Sequence, residues 1–239
     1  MLQASNTRKT REATREIKFL VAPVLAADIL DWSRTRLTAD PYASGPSGDE
    51  YRTTTLYYDT SAFAVYDRLG SYGRSKYRIR RYGAAGVVFL ERKLRTAGLL
   101  DKRRTVVPVE QLGCLETPTA DSTWAGHWFR RRLEARGLYP VCRVSYRRHA
   151  RVGMGTCGPI RLTLDDQILA LPMQRLSFAP QPSVPVLTTH TIVEMKYRSE
   201  LPAVLRHLVE VFKLEPASVS KYRLSVRALS LTAESAANA

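Results

Sequence analysis

The sequence is poor in the residues from which disulfide frameworks and zinc clusters are built. Its 239 residues include three cysteines, Cys114, Cys142 and Cys157, with no CxxC pair. The odd count and wide spacing argue against both a disulfide framework and a zinc site. The four histidines form no HxH or HExxH pattern. We therefore expect a reducing, cytoplasmic compartment.

Long apolar runs are also lacking. No run reaches the roughly 18 residues that a membrane-spanning helix needs, so no such helix is expected. The first 14 residues are polar and lack the apolar centre of a signal peptide. We predict a flexible N-terminal segment at 1–14, a single folded domain at 15–228 and a flexible tail at 229–239.

Negative charge is scarce. The chain has 22 acidic and 37 basic residues, which gives a net charge of +15, and 44% of its residues are hydrophobic. That hydrophobic fraction is enough to form a core. An excess of positive charge implies an anionic partner: nucleic acid, a membrane surface, or a phosphate-rich molecule or polymer. Charge alone does not choose among them.

Hydrophobic periodicity, with glycine and proline at the breaks, predicts an α+β chain. Helices are predicted at 23–37, from a cap at Asp121 or Ser122 to Gly137, and at 202–214. Four prolines predict an irregular segment at 172–185. Strands are predicted at 15–21, 51–59, 75–82, 86–94, 102–107, 141–149, 160–164, 192–197 and 222–227.

The most informative stretch is the strand that contains Lys76, Arg78 and Arg80. Because successive side chains of a strand point to opposite faces, these three cations share one face, and Tyr77 and Ile79 share the other. Cations about 7 Å apart repel one another unless an anion lies in front of them. The strand therefore predicts an anion-binding face.

The same alternation recurs in six other predicted strands, whose opposite positions are mostly apolar. Their charged faces would carry Glu16 and Lys18; Glu91 and Lys93; Arg143, Ser145 and Arg147; Arg161, Thr163 and Asp165; Glu194 and Lys196; Lys221 and Arg223. Together the seven faces hold eleven cations and four carboxylates.

The solvent-exposed face of an ordinary antiparallel sheet is the simplest explanation of such alternation, but exposed faces usually mix the two signs of charge. The excess of cations favours a closed antiparallel β-barrel of about eight strands, with a cationic interior and helices packed on the outside. Charges inside a barrel need a counter-charge. A linear phosphate chain supplies several negative charges and is narrow enough to enter.

Glu194 lies in Val193-Glu194-Met195-Lys196, beside basic strands. Mg²⁺ and Mn²⁺ take oxygen ligands, commonly one or two carboxylates together with substrate phosphates. A glutamate among cations is equally explained as a salt-bridge partner. The residues alone do not decide between these two roles.

Ordered segments of this chain resemble the VTC domain, the catalytic domain of the vacuolar transporter chaperone polyphosphate polymerase. That family belongs to the triphosphate tunnel metalloenzymes, with the CYTH-type adenylate cyclases and thiamine triphosphatases. The resemblance runs from about residue 15 to residue 226. The segments are EIKF at 16–19, TLYYD at 55–59, KYRIR at 76–80, FLERK at 89–93, KRR at 102–104, YRR at 146–148, IRLTLD at 160–165, VEMK at 193–196 and SKY at 220–222.

The resemblance implies site residues and a cofactor. It implies a phosphate-binding set made of Lys18, Arg78, Arg80, Lys93, Lys102, Arg147, Arg161 and Lys221. Within that set, Arg78, Arg80, Lys93, Arg147 and Arg161 would act in catalysis. It implies Mn²⁺ or Mg²⁺ on Glu194, with Glu16 and Glu91 as weaker candidate ligands.

The implied activity is transfer of the γ-phosphate of ATP, or another nucleoside triphosphate, to a growing polyphosphate chain. The first strand favours the VTC branch, because the wider superfamily usually reads ExExK where this chain has Glu16-Ile17-Lys18. A hydrolase of the same fold and a non-catalytic polyphosphate- or nucleotide-binding module remain alternatives. Nucleic acid is not expected, because DNA does not fit inside a narrow barrel. Oligomeric state is not indicated.

Overall fold

One antiparallel sheet of eleven strands forms the framework of the described residues. The structure is a computed structural model and describes residues 7–8, 14–43, 45–96, 99–117 and 122–232. The strands are β1 (Thr7–Arg8), β2 (Thr14–Val21), β3 (Thr38–Ala39), β4 (Glu50–Asp59), β5 (Ser75–Tyr82), β6 (Val87–Thr96), β7 (Leu99–Pro108), β8 (Tyr139–Gly155), β9 (Gly158–Pro172), β10 (Val184–Leu187) and β11 (Thr191–Arg198).

Helices connect and cover the strands. They are α1 (Pro23–Arg34), α2 (His127–Glu134), α3 (Ala203–Val211) and α4 (Lys221–Ala228), with 3₁₀ helices at Tyr72–Arg74 and Val109–Leu115. Helix α1 begins with a proline, whose fixed φ suits a first turn. Among the described helices, none has the length and apolar character needed to cross a membrane.

The sheet has the strand order β1-β7-β6-β5-β4-β8-β9-β11-β2, with β10 also paired to β9 and β3 to β8. Every pairing is antiparallel, so the α+β class is confirmed. The predicted closed barrel is not confirmed, because no ladder of backbone hydrogen bonds joins the two ends of this order within the described ranges. Alternating side chains report on the two faces of a sheet and carry no information about whether its edges pair.

The sheet nevertheless curls strongly. The Nζ of Lys93 on β6 lies 3.3 Å from the Oε2 of Glu16 on β2. Six strand spacings separate β6 from β2, which would be about 29 Å in a flat sheet. The charged side chains of these two strands therefore meet across a concave face, and we call this the inner face.

The apolar side of the sheet faces outward and is covered by helices. One cluster packs Leu56 and Ile79 against Phe129 of α2. A second packs Met195 of β11 and neighbouring strand residues against Ile29 of α1 and against α3. Helices α1, α2 and α3 thus cover the outer face, as predicted, whereas α4 contacts the inner face, where its Tyr222 stacks on Tyr57 at 5.2 Å.

Helix α4 corrects the prediction of a last strand at 222–227. Its buried residues, Tyr222, Ser225 and Val226, recur with the helical period of 3.6 rather than with the strand period of two. Lys221 and Arg223 therefore do not share a strand face. Six residues of mixed polarity fit both periods, so the pattern alone favoured the wrong element.

The remaining differences lie at element boundaries. The second helix begins at His127, and its predicted cap at Asp121 lies outside the described residues. Strand β10 extends into the segment predicted to be irregular. Strands β8 and β9 are much longer than predicted. Of the predicted flexible segments, 1–6, 9–13 and 233–239 lie outside the described residues, while Thr7–Arg8 pairs with β7.

Asp59, at the end of β4, ties the following loop and α4 to the sheet. Its carboxylate accepts backbone N–H groups from Thr60 at 2.7 Å, Val65 at 2.8 Å and Tyr66 at 2.8 Å. It also accepts the hydroxyl of Tyr222. Because the carboxylate is fully buried, these four donors would have no acceptor without it.

We expect Asp59→Ala to lower the free energy of unfolding by about 3 kcal/mol, since buried donors left without an acceptor carry a large desolvation cost. Urea denaturation measures the change. The matched control is Asp67→Ala, because Asp67 is exposed in the same loop; its effect should stay within about 0.5 kcal/mol. Equal losses in the two variants would contradict the role given to Asp59.

Candidate functional site

The strand register defines which side chains share the inner face, because directly opposed residues of antiparallel strands point the same way. Arg78 is opposite both Tyr57 and Glu91, and Glu91 is opposite Arg104. Continuing round the sheet, Glu194 is opposite Lys18. The inner-face cations include Lys18, Lys76, Arg78, Arg80, Lys93, Lys102, Arg104, Arg148, Arg161 and Lys196, joined by Lys221 of α4, and the strand carboxylates on this face are Glu16, Glu91, Asp165 and Glu194.

Glu91 is the centre of the first of three charge clusters. Its buried carboxylate lies 2.7 Å from Arg78, 2.9 Å from Lys102 and 2.5 Å from Arg104. Burial would raise the pKa of Glu91, but Arg78 and the surrounding cations hold it well below its usual value. One carboxylate thus neutralises one of three cations, and two positive charges are left over.

Glu16 and Glu194 form the second cluster with lysines from three strands. The Nζ of Lys18 lies 3.0 Å from Glu16 and 3.6 Å from Glu194. Lys196 contacts Glu194 and lies 3.9 Å from Glu16, which also meets Lys93.

Both carboxylates of this cluster are ionised. Burial and the neighbouring Glu194 would raise the pKa of Glu16, but the lysines lower it to about 2. For Glu194 burial likewise raises the pKa, and Lys196 and Lys18 hold it well below its usual value.

Asp165 forms the third cluster and links β9 to β8 and α4. Its fully buried carboxylate accepts two hydrogen bonds from Arg148, at 2.6 and 2.7 Å, and one from Lys221 at 2.5 Å. Burial would raise the pKa of Asp165, and these two cations lower it to about 2. The ring of Tyr146 lies 4.8 Å from the Nζ of Lys221 and 5.3 Å from the guanidinium of Arg148, so it stacks beside both.

Two inner-face cations have no carboxylate of the described residues within salt-bridge distance. Arg80 is buried and donates to the hydroxyl of Thr55 at 3.3 Å. Lys76 meets Ser220 at 3.5 Å. Burial, together with Lys18 and Lys93, lowers the pKa of Lys76 to about 8. Because neither cation is paired directly with a carboxylate in the described ranges, both remain available to a bound anion.

Arg161 lies on the inner face, but its guanidinium already pairs with a residue of a neighbouring loop. Its guanidinium is 2.6 Å from Asp40 and donates to the Tyr51 hydroxyl at 2.7 Å. A predicted phosphate ligand thus has a carboxylate partner from the loop before β4.

The prediction that Arg147 lies with these cations is wrong. Arg147 is opposite Arg52 on the outer face and forms a two-pronged ion pair with Asp166, at 2.9 and 2.7 Å. Arg143 is also outside, donating to the carbonyls of Ser177 and Ala179. Alternation along β8 defines two faces but does not say which of them is inner. The charge of Arg143 and Arg147 suggested that their face was inner, whereas the structure places Tyr146 on the inner face.

Sequence reasoning missed Arg104 and Arg148 as site residues. Arg104 is two residues from Lys102, so the strand period alone would have placed it on the same face. Arg148 is two residues from Tyr146, and it would have been found if the aromatic residue had been taken as inward-facing. The other predicted site residues, apart from Arg147, converge on the inner face.

The carboxylates of the inner face form part of a metal site rather than a whole one. No group of three or more His, Cys, Asp or Glu side chains converges among the described residues. Glu16 and Glu194, however, share Lys18 and Lys196 and so lie close together. Mg²⁺ bound to substrates commonly uses one or two carboxylates and takes its other oxygens from phosphate and water. Glu16 and Glu194 therefore fit a metal ion that takes its other ligands from a bound phosphate. The two carboxylates do not form a complete metal site by themselves.

Two cavities of about 330 and 240 Å³ open elsewhere on the molecule. The larger is lined by Pro23, His190 and the β9 residues 166–169, and the smaller by Tyr58 and residues around α2. Neither is lined by an inner-face cation, so neither competes with the inner face as a polyanion site.

Comparison with known proteins identifies the family. Residues 13–230 match the family model described as the VTC domain. The chain belongs to the VTC domain family. No curated protein matches this VTC domain.

Solved structures show the fold. A candidate adenylate cyclase from Bacillus halodurans superposes with a TM-score of 0.54 and 15% identity, over 90% of this chain and 96% of that chain. A candidate adenylyl cyclase from Hippeastrum with a dominant triphosphatase activity has a TM-score of 0.45 and 17% identity, over 87% of this chain and 92% of that chain. The first likeness shows a shared fold.

Adjacent arginines of this VTC domain provide a direct test of the inner face. We expect Arg148→Met to weaken tripolyphosphate binding at least tenfold, because it removes a cation from the inner face, and Arg147→Met to change it less than about twofold. Isothermal titration calorimetry on both variants measures this. The reverse order of effects would contradict the assignment of faces.

Proposed function

We propose that this VTC domain is a metal-dependent phosphotransferase of the polyphosphate polymerase type, which moves the γ-phosphate of ATP to the end of a polyphosphate chain. The observation that carries the proposal is the charge of the inner face: at least eleven cations lie there against four carboxylates of the strands and Asp40 beside Arg161, among the described residues. A surplus of at least six positive charges on a concave face matches a linear anion with several phosphates better than a single small anion.

The side chains have distinct parts in this proposal. Arginine binds phosphate through paired N–H groups, so Arg78, Arg80 and Arg148 would grip and orient phosphate oxygens. The lysines would act as point charges along the phosphate chain. They are Lys18 of β2, Lys93 of β6, Lys102 of β7 and Lys221 of α4. Arg161 would reach phosphate by exchanging its contact with Asp40, and Arg147 has no part, since it lies outside.

Phosphoryl transfer depends on alignment and on stabilisation of charge more than on covalent catalysis. The guanidinium groups would hold the terminal phosphate of the growing chain in line with the γ-phosphorus of ATP. The attacking oxygen forms the new P–O bond as the bond to the β-phosphate oxygen breaks, and ADP leaves. A divalent ion held by Glu194 and Glu16 would supply Lewis-acid stabilisation of phosphate charge when bound.

Two alternatives share this geometry. A hydrolase would transfer the same phosphoryl group to water. A binding module would hold the polyanion without turnover. The fold and the charges support all three, and the products of the reaction separate them.

Incubation with ATP and Mn²⁺ is the deciding experiment, with polyphosphate separated on a gel and free phosphate measured by colorimetry. We expect long-chain polyphosphate and ADP. Arg80→Met should reduce the rate at least 100-fold, while Arg81→Met, its outward-facing neighbour bonded to the Ala85 carbonyl, should keep at least half of it. Free phosphate alone would establish the hydrolase, and binding without turnover would establish the module.

The pH dependence follows from two inner-face lysines. Burial is the main reason that the pKa values of Lys76 and Lys102 are lowered to about 8, from a usual 10.5. Both side chains therefore lose charge above pH 8 in the free protein. We expect tripolyphosphate affinity to fall at least about tenfold between pH 7.5 and 9.5, because the bound anion favours the protonated lysines.

The sign is opposite for stability. Since the folded-state pKa lies below the unfolded value, the unfolded chain binds more protons between pH 8 and 10.5, and these lysines make the free energy of unfolding rise with pH there.

The affinity prediction is tested by removing each lysine. Lys76→Met and Lys102→Met should each flatten the dependence of tripolyphosphate affinity on pH, measured by calorimetry. An unchanged slope in the double variant would contradict the assignment. Burial would raise the pKa of Tyr82, but Arg80 and Arg104 lower it to about 7, so starting at pH 7.5 limits its contribution.

A further inference from the structure

Four members of the second charge cluster, Glu16, Lys18, Glu194 and Lys196, form a closed arrangement of alternating charges. Lys18 lies 3.0 Å from Glu16 and 3.6 Å from Glu194, and Lys196 contacts Glu194 and lies 3.9 Å from Glu16. Each ammonium is therefore shared by both carboxylates, and each carboxylate by both ammoniums. The four groups together are neutral.

The two ammoniums carry the same charge as one divalent cation. They also occupy the oxygens that such a cation would use, since Glu194 has one oxygen on Lys196 and the other facing Lys18. The Glu194 side chain is only 8% exposed, so water supplies little of the compensation for its charge. In the free protein these lysines satisfy the pair that fits a metal.

A metal that binds alone would have to displace these ammoniums. They would then remain on a face that already has a surplus of positive charge, next to Lys93 and close to Lys76. Both the entering ion and the released lysines would be repelled. A phosphate chain removes this obstacle, because its oxygens accept the released ammoniums and also coordinate the metal.

We propose that Lys18 and Lys196 are internal counterions that keep divalent metal off Glu16 and Glu194 until a phosphate chain binds. The proposal rests on the proposed function for the identity of the anion. It makes metal binding conditional on substrate. By linkage, the metal and the phosphate chain raise each other's affinity by the same factor.

The test measures Mn²⁺ binding to the full chain by electron paramagnetic resonance, first without nucleotide or phosphate and then, for the wild type, with tripolyphosphate. We expect weak binding to the wild type and at least tenfold tighter binding to Lys196→Met, which keeps the side-chain length but removes the ammonium. The matched control is Lys102→Met. It removes the same charge from the same face, but Lys102 contacts Glu91, so its Mn²⁺ affinity should change less than about threefold.

Three results would overturn the proposal: Lys196→Met binding Mn²⁺ no better than the wild type, Lys102→Met strengthening binding equally, or wild-type Mn²⁺ binding that stays unchanged although tripolyphosphate itself binds. If Lys196→Met does not fold, judged by circular dichroism, Lys18→Met takes its place with the same expectation. The proposed function fails separately, through absent turnover and absent tripolyphosphate binding in the wild type. The comparison of variants without phosphate still tests the counterions in that case.

Discussion

Mutual repulsion among the cations of the inner face is the constraint on which the rest of this structure depends. Four carboxylates moderate it, and each is shared: Glu91 by three cations, Asp165 by two. Sharing lets a few acids support a strongly basic surface without neutralising it. The outer apolar clusters and the strand ladders must supply the stability that this surface opposes, and the site remains suited to an anion from outside.

Much of the site could be predicted from the two-residue period of single strands. Strand β5 placed Arg78 and Arg80 correctly, since only one assignment of its faces puts Tyr77 and Ile79 in a core. Strand β8 was ambiguous, because both of its faces carry arginine and the inner one also carries Tyr146. The strand predicted at 222–227 was wrong because contacts with Asp59 and Tyr57 favour the helix α4 there, and those contacts come from distant parts of the chain.

Curvature is the other property that local patterns did not determine. The excess of cations indicated an enclosed face, and the structure does bring β6 and β2 together. Contact is made by Lys93 and Glu16 rather than by a backbone ladder between the described ends of the sheet. Side-chain charge and backbone pairing are independent means of enclosing a face, and this sequence reports only on the first.

The neighbouring ion pairs of β8 and β9 have a consequence for how the chain finds its alignment. Arg147 pairs with Asp166 outside and Arg148 with Asp165 inside, just before Gln167, whose φ of 48° marks an irregular step in the ladder. Sliding one strand by a single residue would leave one arginine and one aspartate without partners, at a cost of about 3–5 kcal/mol for a buried pair. The adjacent pairs Arg147-Arg148 and Asp165-Asp166 therefore fix the register of β8 against β9, and they select one strand alignment among many that are nearly alike.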